Sequence, residues 1–342
     1  MNPDWQNFLQ QQRAHLQDGT VQHFGDPAGE LIATQNGTVL CDLGQFGTLR
    51  VAGDDAQSFL QNLFSSDVKA VNATQAQPGS FNTAKGRMLA TFLIWQTGSD
   101  YFLHLPRSLC PALQKKLSMY VLRAKVKISD ASDETICLGL SGTDAAALVQ
   151  ESFGSVPQGA MQAGQHDKTS VIRCGVQRFQ INTTPQHAID LWRKLGARAH
   201  PAGSPCWDWL NIREGIPVIM PATQEQFVPQ MANLDLIGGV SFKKGCYPGQ
   251  EIVARMQYLG KLKRRMYLAH IEGDTVAQPG DELFSADMEG QASGMVVNAA
   301  PAPGGGCDLL AVVQISSRET QTVHLQSLQG ATLDFIPLPY SA

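Results

Sequence analysis

The order of strand-like and helix-like segments is the feature that most constrains the fold of this chain. Up to about residue 200, β-branched and aromatic runs typical of strands come in pairs or meanders, and helical patterns separate them. The predicted strands are a meander over 80–105 and the segments 125–129, 135–140, 170–174 and 178–183, and the predicted helices are 108–123, 143–153 and 185–195. A regular parallel α/β sheet needs a helix after each strand, so this pattern predicts an α+β fold.

The two ends of the chain have patterns of their own. Residues 4–17 predict an amphipathic helix, and an Asn-Gly pair between the apolar runs 31–34 and 38–40 predicts a β-hairpin. Beyond Gly260 the character changes to short strands joined by Gly/Pro loops, which predicts an all-β module, a small barrel. Its predicted strands are 265–271, 290–298, 309–315, 322–326 and 333–336.

Composition and motif content exclude several classes of protein. The 342 residues suffice for two or three domains, and 43% hydrophobic with 16% charged residues fits a soluble globular protein. A net charge of -4 gives no overall attraction to nucleic acid or membrane, and no apolar run is long enough to span one. The seven cysteines include no C-x-x-C, histidine spacing suggests no metal site, and P-loop and G-x-S-x-G motifs are absent. A cytoplasmic protein without a metal is expected.

The richest chemistry lies in residues 240–255, which read VSFKKGCYPGQEIVAR. Gly245 and the Pro248-Gly249 pair are turn residues, and a helical pattern begins at Gln250. Cys246 therefore stands beside two lysines and just before a helix N-terminus, and both features favour the thiolate form of a cysteine.

Within that helical pattern, Ile252, Val253 and Met256 can share one face. Glu251 and Arg255 have the i, i+4 spacing of an ion pair.

Each of these features has a plainer interpretation. An isolated cysteine is more often small apolar filler, as Cys41, Cys137 and Cys174 are expected to be in their strand-like runs. The basic run 261–265 can approach a phosphate-rich partner or simply be a solvated strand end. The tryptophans of segment 207–217 can stack on a flat ligand or belong to the core.

The segment from Lys244 to Glu251, with Arg255, resembles the K-G-C-Y-x-G-Q-E-x-x-x-R signature of the YgfZ family of folate-binding proteins, which is related to the glycine cleavage T-protein. Further segments support the resemblance. They are residues 207–219, 226–230 and 336–340 and the pairs Asn233-Leu234 and Lys85-Gly86. The similarity runs from about residue 30 to the end of the sequence.

The resemblance implies a ring of three domains with a tetrahydrofolate derivative in the central opening. Two intertwined α+β subdomains that bind folate (29–258) and a C-terminal β-barrel (259–342) are the implied domains, and an N-terminal helical extension (1–28) lies outside the resemblance.

It also implies site residues. Cys246 is the functional thiol, assisted by Lys244 and Tyr247. The residues that support the signature motif around this thiol are Gly245, Gly249, Gln250, Glu251 and Arg255. The implied folate-binding residues are Phe46, Trp207, Asn211, Glu214, Lys85 and Arg87. Two positions depart from the family: Phe46 replaces a tryptophan, and Arg213-Glu214 replaces an acidic-small pair.

T-protein resembles this chain around Lys85-Gly86 and, a few residues further on, carries adjacent aspartates, one of which assists aminomethyl transfer. The corresponding positions here are Ala90 and Thr91, and neither can act as a carboxylate base. Glycine-cleavage chemistry is therefore not expected, and whether the chain is an enzyme stays open.

Three hypotheses follow. The first is a tetrahydrofolate-binding accessory protein that supports iron-sulfur cluster assembly or repair, including that of enzymes that modify tRNA, with Cys246 as its thiol. Its partners are folate and iron-sulfur proteins or assembly factors, with an indirect link to tRNA-modifying enzymes and no membrane. The second is a folate-dependent one-carbon (aminomethyl-type) transferase that uses Cys246 as nucleophile or methylene acceptor. The third treats the loop as a docking surface without covalent chemistry.

Overall fold

The computed structural model describes residues 1–258 and 260–341, which divide into two compact units whose segments alternate along the chain. The first unit comprises Met1–Phe59, Lys69–Gln77 and Leu93–Trp207. The second comprises Leu60–Val68, Pro78–Phe92 and the described residues from Asp208 onward. The predicted division into domains 1–28, 29–258 and 259–342 stays a prediction. The last of these domains begins at Leu259, and both Leu259 and Ala342 lie outside the described residues.

The first unit begins with elements that the sequence predicted only in part. A helix spans Pro3–Gln11 and ends earlier than expected, and the strands His15–Gln17 and Thr20–His23 pair after it. The hairpin prediction at Asn36-Gly37 is wrong, because a helix spans Pro27–Asn36.

Local chemistry explains that helix. The Asp26 side chain accepts a hydrogen bond from the Gly29 N–H at 3.0 Å, and Pro27 occupies the first turn, where a proline is favourable. The buried carboxylate of Glu30 accepts from the N–H groups of Phe24 and Gly203 at 2.6 and 2.9 Å. These bonds tie the helix into the unit, and they outweigh the hairpin preference of a single Asn-Gly pair.

A six-stranded mixed sheet organises the core of the first unit. Its strands, in spatial order, are Ala163–His166, Thr169–Gly175, Arg178–Thr183, Ile136–Gly142, Thr38–Asp42 and His200–Ala202. All neighbours are antiparallel except the last pair. Residues of the helices Pro3–Gln11, Ala145–Phe153 and Pro185–Leu195 pack with the sheet in one buried cluster, so most of the apolar residues of these helices lie in this core.

A second antiparallel arrangement in the same unit holds residues that matter below. The strand Phe46–Ala52 pairs with Asp100–Pro106 and with Lys127–Asp130, and residues 93–97 pair with Asp100–Pro106 on its other side. The helix Cys110–Ser118 begins with Pro111 in its first turn, as the sequence predicts, and ends before the predicted Arg123.

The second unit contains the C-terminal β-module. Its six antiparallel strands, in spatial order, are His324–Leu325, Glu282–Phe284, Gly294–Pro301, Cys307–Gln314, Arg264–Ile271 and Asp334–Ile336. They form a curled half-barrel around a buried apolar cluster, which confirms the all-β prediction for this region and, with the mixed elements before it, the α+β class.

The remaining elements of the second unit are strand segments and short helices. Residues 78–82 of the strand Gln77–Asn82 and residues 88–92 of the strand Met88–Thr97 belong to it. The helix Gln250–Tyr258 follows the signature loop, and Ile315–Thr320 is a shorter helix. In the described ranges, no helix combines the length and the apolar character of a membrane span.

Candidate functional site

The loop that carries Cys246 exposes its thiol. Of the seven free cysteines, Cys246 is exposed, Cys174 is partly exposed and the others are buried. The interpretation of Cys246 as buried filler is therefore wrong. In the part of the chain that the structure describes, no group of three or more His, Cys, Asp or Glu side chains is placed to bind a metal ion. Cys246 is thus an exposed thiol outside any such group.

Lys244 points inward and holds the loop. Its ammonium donates hydrogen bonds to the backbone carbonyls of Gln61, Phe64 and Ser66 at 2.6, 2.5 and 2.8 Å. Three donors meet three acceptors, which matches the bonding capacity of an ammonium group. Burial lowers the pKa of Lys244 to about 8, against an opposing effect of Asp67. These contacts give Lys244 a structural task, because they fasten the loop to segment 61–66 of the same unit.

The turn at Gly249 needs glycine for two reasons. Its φ is +80°, and a Cβ there would lie 2.5 Å from the Gly86 Cα and 2.5 Å from the Thr83 carbonyl oxygen. The Pro248-Gly249 turn therefore lies directly on the Lys85-Gly86 turn, which the sequence had marked as a separate motif. Gly245, in contrast, has no positive φ and has open space around it, so its predicted turn role is not required by the backbone.

Tyr247 turns into the unit, beneath the exposed cysteine. Its side chain is buried, and the Lys244 Nζ lies 5.2 Å from its ring centroid. Burial raises the pKa of Tyr247 to about 12, so the hydroxyl is protonated at neutral pH. Among the described residues, that hydroxyl has no hydrogen-bond partner.

The helix after the loop differs from the prediction in its details. Val253 is fully buried and Ile252 is exposed, so the two do not share a buried face. Glu251 and Arg255 are both exposed, and no ion pair joins them within the described ranges. Gln250 instead supports the loop, because its Nε2 donates to the Lys244 carbonyl at 3.5 Å.

The predicted folate residues divide between the two units. Phe46 and Trp207 belong to the first unit, and Asn211, Glu214, Lys85 and Arg87 belong to the second. Asn211 lies buried in the helix Ser204–Arg213, Glu214 is partly buried just after it, and Arg87 donates to the Gln226 carbonyl. Lys85 is exposed.

Trp207 is a packed side chain within the first unit. It is 3% exposed, and the guanidinium carbon of Arg178 lies 3.9 Å from its ring centroid. A Cβ on Gly139 would come within 2.5 Å of the same ring, so the indole also lies against that backbone. These contacts occupy much of the ring surface that the sequence assigned to stacking on a ligand.

His104 is a residue that the sequence analysis missed. It is 7% exposed, and its ring packs against that of Phe46 in a tilted arrangement, with 4.7 Å between ring centroids. Neither ring nitrogen has a hydrogen-bond partner in the described part of the chain. Burial lowers the pKa of His104 to about 3, so the imidazole is neutral at physiological pH. No local pattern reveals it, since His104 is one polar residue in an apolar strand.

The buried imidazole predicts a loss of stability in acid. In the unfolded chain a histidine titrates near 6.5, whereas His104 stays neutral in the folded state down to about pH 3. Below pH 6.5 the unfolded state therefore binds the extra proton, and stability falls by about 1.4 kcal/mol per pH unit. We expect the difference in unfolding free energy between wild type and His104→Phe to shift by about 2 kcal/mol in favour of the variant from pH 7 to pH 5.

Equilibrium unfolding of both proteins at the two pH values measures this shift. Asp42, whose pKa burial raises to about 6, titrates in both proteins and cancels. A difference that stays constant with pH would show that His104 is not held neutral.

Thr91 has a structural role. Its hydroxyl donates to the Pro217 carbonyl at 3.1 Å and accepts from the Ile219 N–H at 3.0 Å, and Ala90 beside it is buried. At the positions that correspond to the T-protein aspartates, Ala90 thus packs in the interior and Thr91 bonds to the backbone.

The basic run belongs mainly to a strand end. Arg264 and Arg265 start the strand Arg264–Ile271, and Arg265 forms an ion pair with Asp235 at 3.3 Å. This agrees with the interpretation of the basic run as the end of a strand rather than a site for a phosphate-rich partner.

Comparison with known proteins defines the class. Residues 11–244 match the GCVT N-terminal domain family. The whole chain has the fold of the glycine cleavage system aminomethyltransferase T from Bartonella henselae, with a TM-score of 0.81 over 99% of this chain and 97% of that one, at 17% identity. The class is thus a protein with the aminomethyltransferase T fold.

Sequence relatives narrow the class to a family. The tRNA-modifying protein YgfZ of Cronobacter sakazakii is 31% identical over 306 residues, which cover 88% of this chain and 93% of the relative. YgfZ of Shigella boydii is 31% identical over 304 residues, with the same coverage. The chain belongs to the YgfZ family, as its signature segment predicts.

Proposed function

We propose that this protein is a cytoplasmic, folate-binding accessory protein that supports tRNA modification through the assembly or repair of iron-sulfur clusters, with Cys246 as its functional thiol. The observation that carries the proposal is the exposed Cys246 on a loop fixed from below by the Lys244 bonds and the Gly249 contact. A thiol that acts on partners must be accessible, and a fixed loop presents it in one geometry. The YgfZ relatives, named tRNA-modifying proteins, supply the link to tRNA.

The state of Thr91 favours an accessory role over a transferase. Aminomethyl transfer in T-protein uses a carboxylate, and here the Thr91 hydroxyl is bonded to the backbone of Pro217 and Ile219. It has no charge to offer a reacting amine. A one-carbon transferase remains the second candidate, because the fold is that of an aminomethyltransferase.

Phe46 is the first-unit candidate for contact with a flat folate ring, because it offers apolar aromatic surface. Its ring packs against that of His104. Trp207 fits less well, because Arg178 and Gly139 contact its ring. Lys85, Arg87, Asn211 and Glu214 are the further candidates for the polar parts of tetrahydrofolate or a one-carbon derivative.

Two measurements test the proposal. In cells that lack the protein, the full chain should restore both thiolated tRNA nucleosides and the activities of several iron-sulfur enzymes. In a purified mixture, the chain should bind tetrahydrofolate and leave the one-carbon state of 5,10-methylenetetrahydrofolate unchanged with candidate acceptors. Turnover of that folate would favour the transferase, and a failure to restore any iron-sulfur activity would overturn the accessory role.

A further inference from the structure

The signature loop and the helix Gln250–Tyr258 share one exposed surface of the second unit. Phe242, in the loop, meets Tyr258 at the end of the helix edge-on, with 6.3 Å between ring centroids. Near the start of the helix, Ile252 lies against the turn at Gly86, where an added Cβ would come within 3.1 Å of the Ile252 Cβ. These contacts place six exposed residues on adjoining parts of the unit. We call them the signature face: Lys85, Lys243, Cys246, Glu251, Arg255 and Tyr258.

The cations of the signature face are not neutralised by the protein. Lys85, Lys243 and Arg255 are exposed, and none of them forms an ion pair in the part of the chain that the structure describes. The basic run 261–265 is not part of the face, and its Arg265 is held by Asp235 at 3.3 Å. Three cations stand against one acid on the face, although the whole chain has a net charge of -4. The face can therefore attract a polyanion that the whole chain does not.

Tyr258 adds an open aromatic ring to these charges. Its side chain is 68% exposed, and the edge contact with Phe242 positions the ring without covering it. Positions 251, 255 and 258 follow each other along one side of the helix, so the ring lies on the same side as the Arg255 guanidinium.

This combination fits single-stranded RNA better than a protein. Surfaces that bind single strands place unstacked bases on aromatic rings and phosphates at cations, whereas a duplex offers no unstacked base. Protein interfaces are depleted in lysine, and two of the three cations of the face are lysines.

We propose that the signature face binds the single-stranded loop of an RNA directly, with a base stacked on Tyr258 and phosphates at the three cations. The inference rests on the proposed function for the identity of the RNA as a tRNA, since the YgfZ relatives are named tRNA-modifying proteins. Cys246 belongs to the same face, so RNA bound there lies beside the exposed thiol.

Fluorescence anisotropy of the full chain with a labelled anticodon stem-loop RNA, and with a blunt RNA duplex of equal length, tests the proposal. The stem-loop should bind about tenfold more tightly than the duplex, because its loop provides a base for Tyr258. Equal affinities, or no binding of either RNA at low salt, would overturn it.

Two kinds of variant separate the charges from the ring. Combined Lys85→Gln, Lys243→Gln and Arg255→Gln should weaken binding and reduce the slope of log affinity against log salt by about two, since each phosphate contact contributes roughly 0.7. Tyr258→Ala should weaken binding by about tenfold with the slope unchanged, because stacking releases no counterions. Tyr258→Phe keeps the ring and should bind as wild type does.

The acid of the face predicts a change of the opposite sign. Glu251→Gln removes the one negative charge and should strengthen binding of the stem-loop by about twofold or more. Weaker binding by this variant would contradict an electrostatic role for the face.

The first unit offers matched controls for both kinds of variant. Lys127 is an exposed lysine, and Tyr120 is 43% exposed. Lys127→Gln and Tyr120→Ala should leave the affinity and the salt slope unchanged. If they weaken binding as much as the variants of the signature face do, the RNA is not bound at that face.

The outcomes also separate this inference from the proposed function. If the chain restores iron-sulfur activities in cells but does not bind the stem-loop, the inference fails and the accessory role stands. If it binds RNA through the signature face but restores no iron-sulfur activity, the inference holds and the accessory role fails. If the combined cation variant binds RNA normally and no longer restores activity, the face serves a protein partner and the RNA assignment is overturned.

Discussion

Replacing Gly249 with alanine is expected to lower the free energy of unfolding by about 3 kcal/mol or more. The φ of +80° is strained for alanine, and its Cβ would lie 2.5 Å from the backbone of both Gly86 and Thr83. Backbone atoms cannot move aside as the end of a flexible side chain can. The turn must therefore open, and the contact between the two Gly-containing turns is lost.

Gly245→Ala is the matched control for this prediction. It adds the same methyl group four residues earlier, where φ is not positive and nothing lies within 4 Å. Its effect should stay within about 0.5 kcal/mol. Denaturant unfolding of both variants, followed by tryptophan fluorescence, measures the difference, and equal stabilities would refute the described turn geometry.

Lys244→Met is expected to destabilise the protein by about 2–4 kcal/mol. Methionine has a similar length and no donor, so the carbonyls of Gln61, Phe64 and Ser66 lose their shared partner. Hydrogen exchange should become faster in segment 61–66 and in the loop around Cys246, because the bonds that join them are gone.

Lys243→Met serves as the comparison, because Lys243 is the exposed neighbour with the same charge. Its exchange pattern should match that of wild type. If both variants show the same hydrogen exchange, the inward-pointing Lys244 side chain does not order the loop.

Local chemistry explains what the sequence predicted well. Residues that are close together in the sequence determine the Pro248-Gly249 turn, the helix start at Gln250 and the short strands beyond Gly260. The same dependence on neighbouring residues led to the wrong hairpin prediction at Asn36-Gly37. There the Glu30 carboxylate accepts hydrogen bonds from the N–H groups of Phe24 and of the distant Gly203, and these bonds favour a helix.

The missed parts of the site depend on contacts between distant residues. Lys244 bonds carbonyls about 180 positions earlier in the chain, and Gly249 lies on Gly86. The lack of a partner for His104 can be seen only when all of its neighbours are in place. A sequence signature can thus name the residues of such a site, but not which of them hold the loop and which face outward.

The proposed function depends on the exposed Cys246, which we propose is the functional thiol of this protein. The most direct measurement is the level of thiolated tRNA nucleosides in cells that lack the protein and express either Cys246→Ala or the control Cys174→Ala. Cys174 is the other cysteine that is not fully buried, and it lies in the strand Thr169–Gly175. We predict that Cys174→Ala restores the nucleosides and that Cys246→Ala, made at equal levels, does not; full restoration by Cys246→Ala would contradict the claim and leave the loop a docking surface.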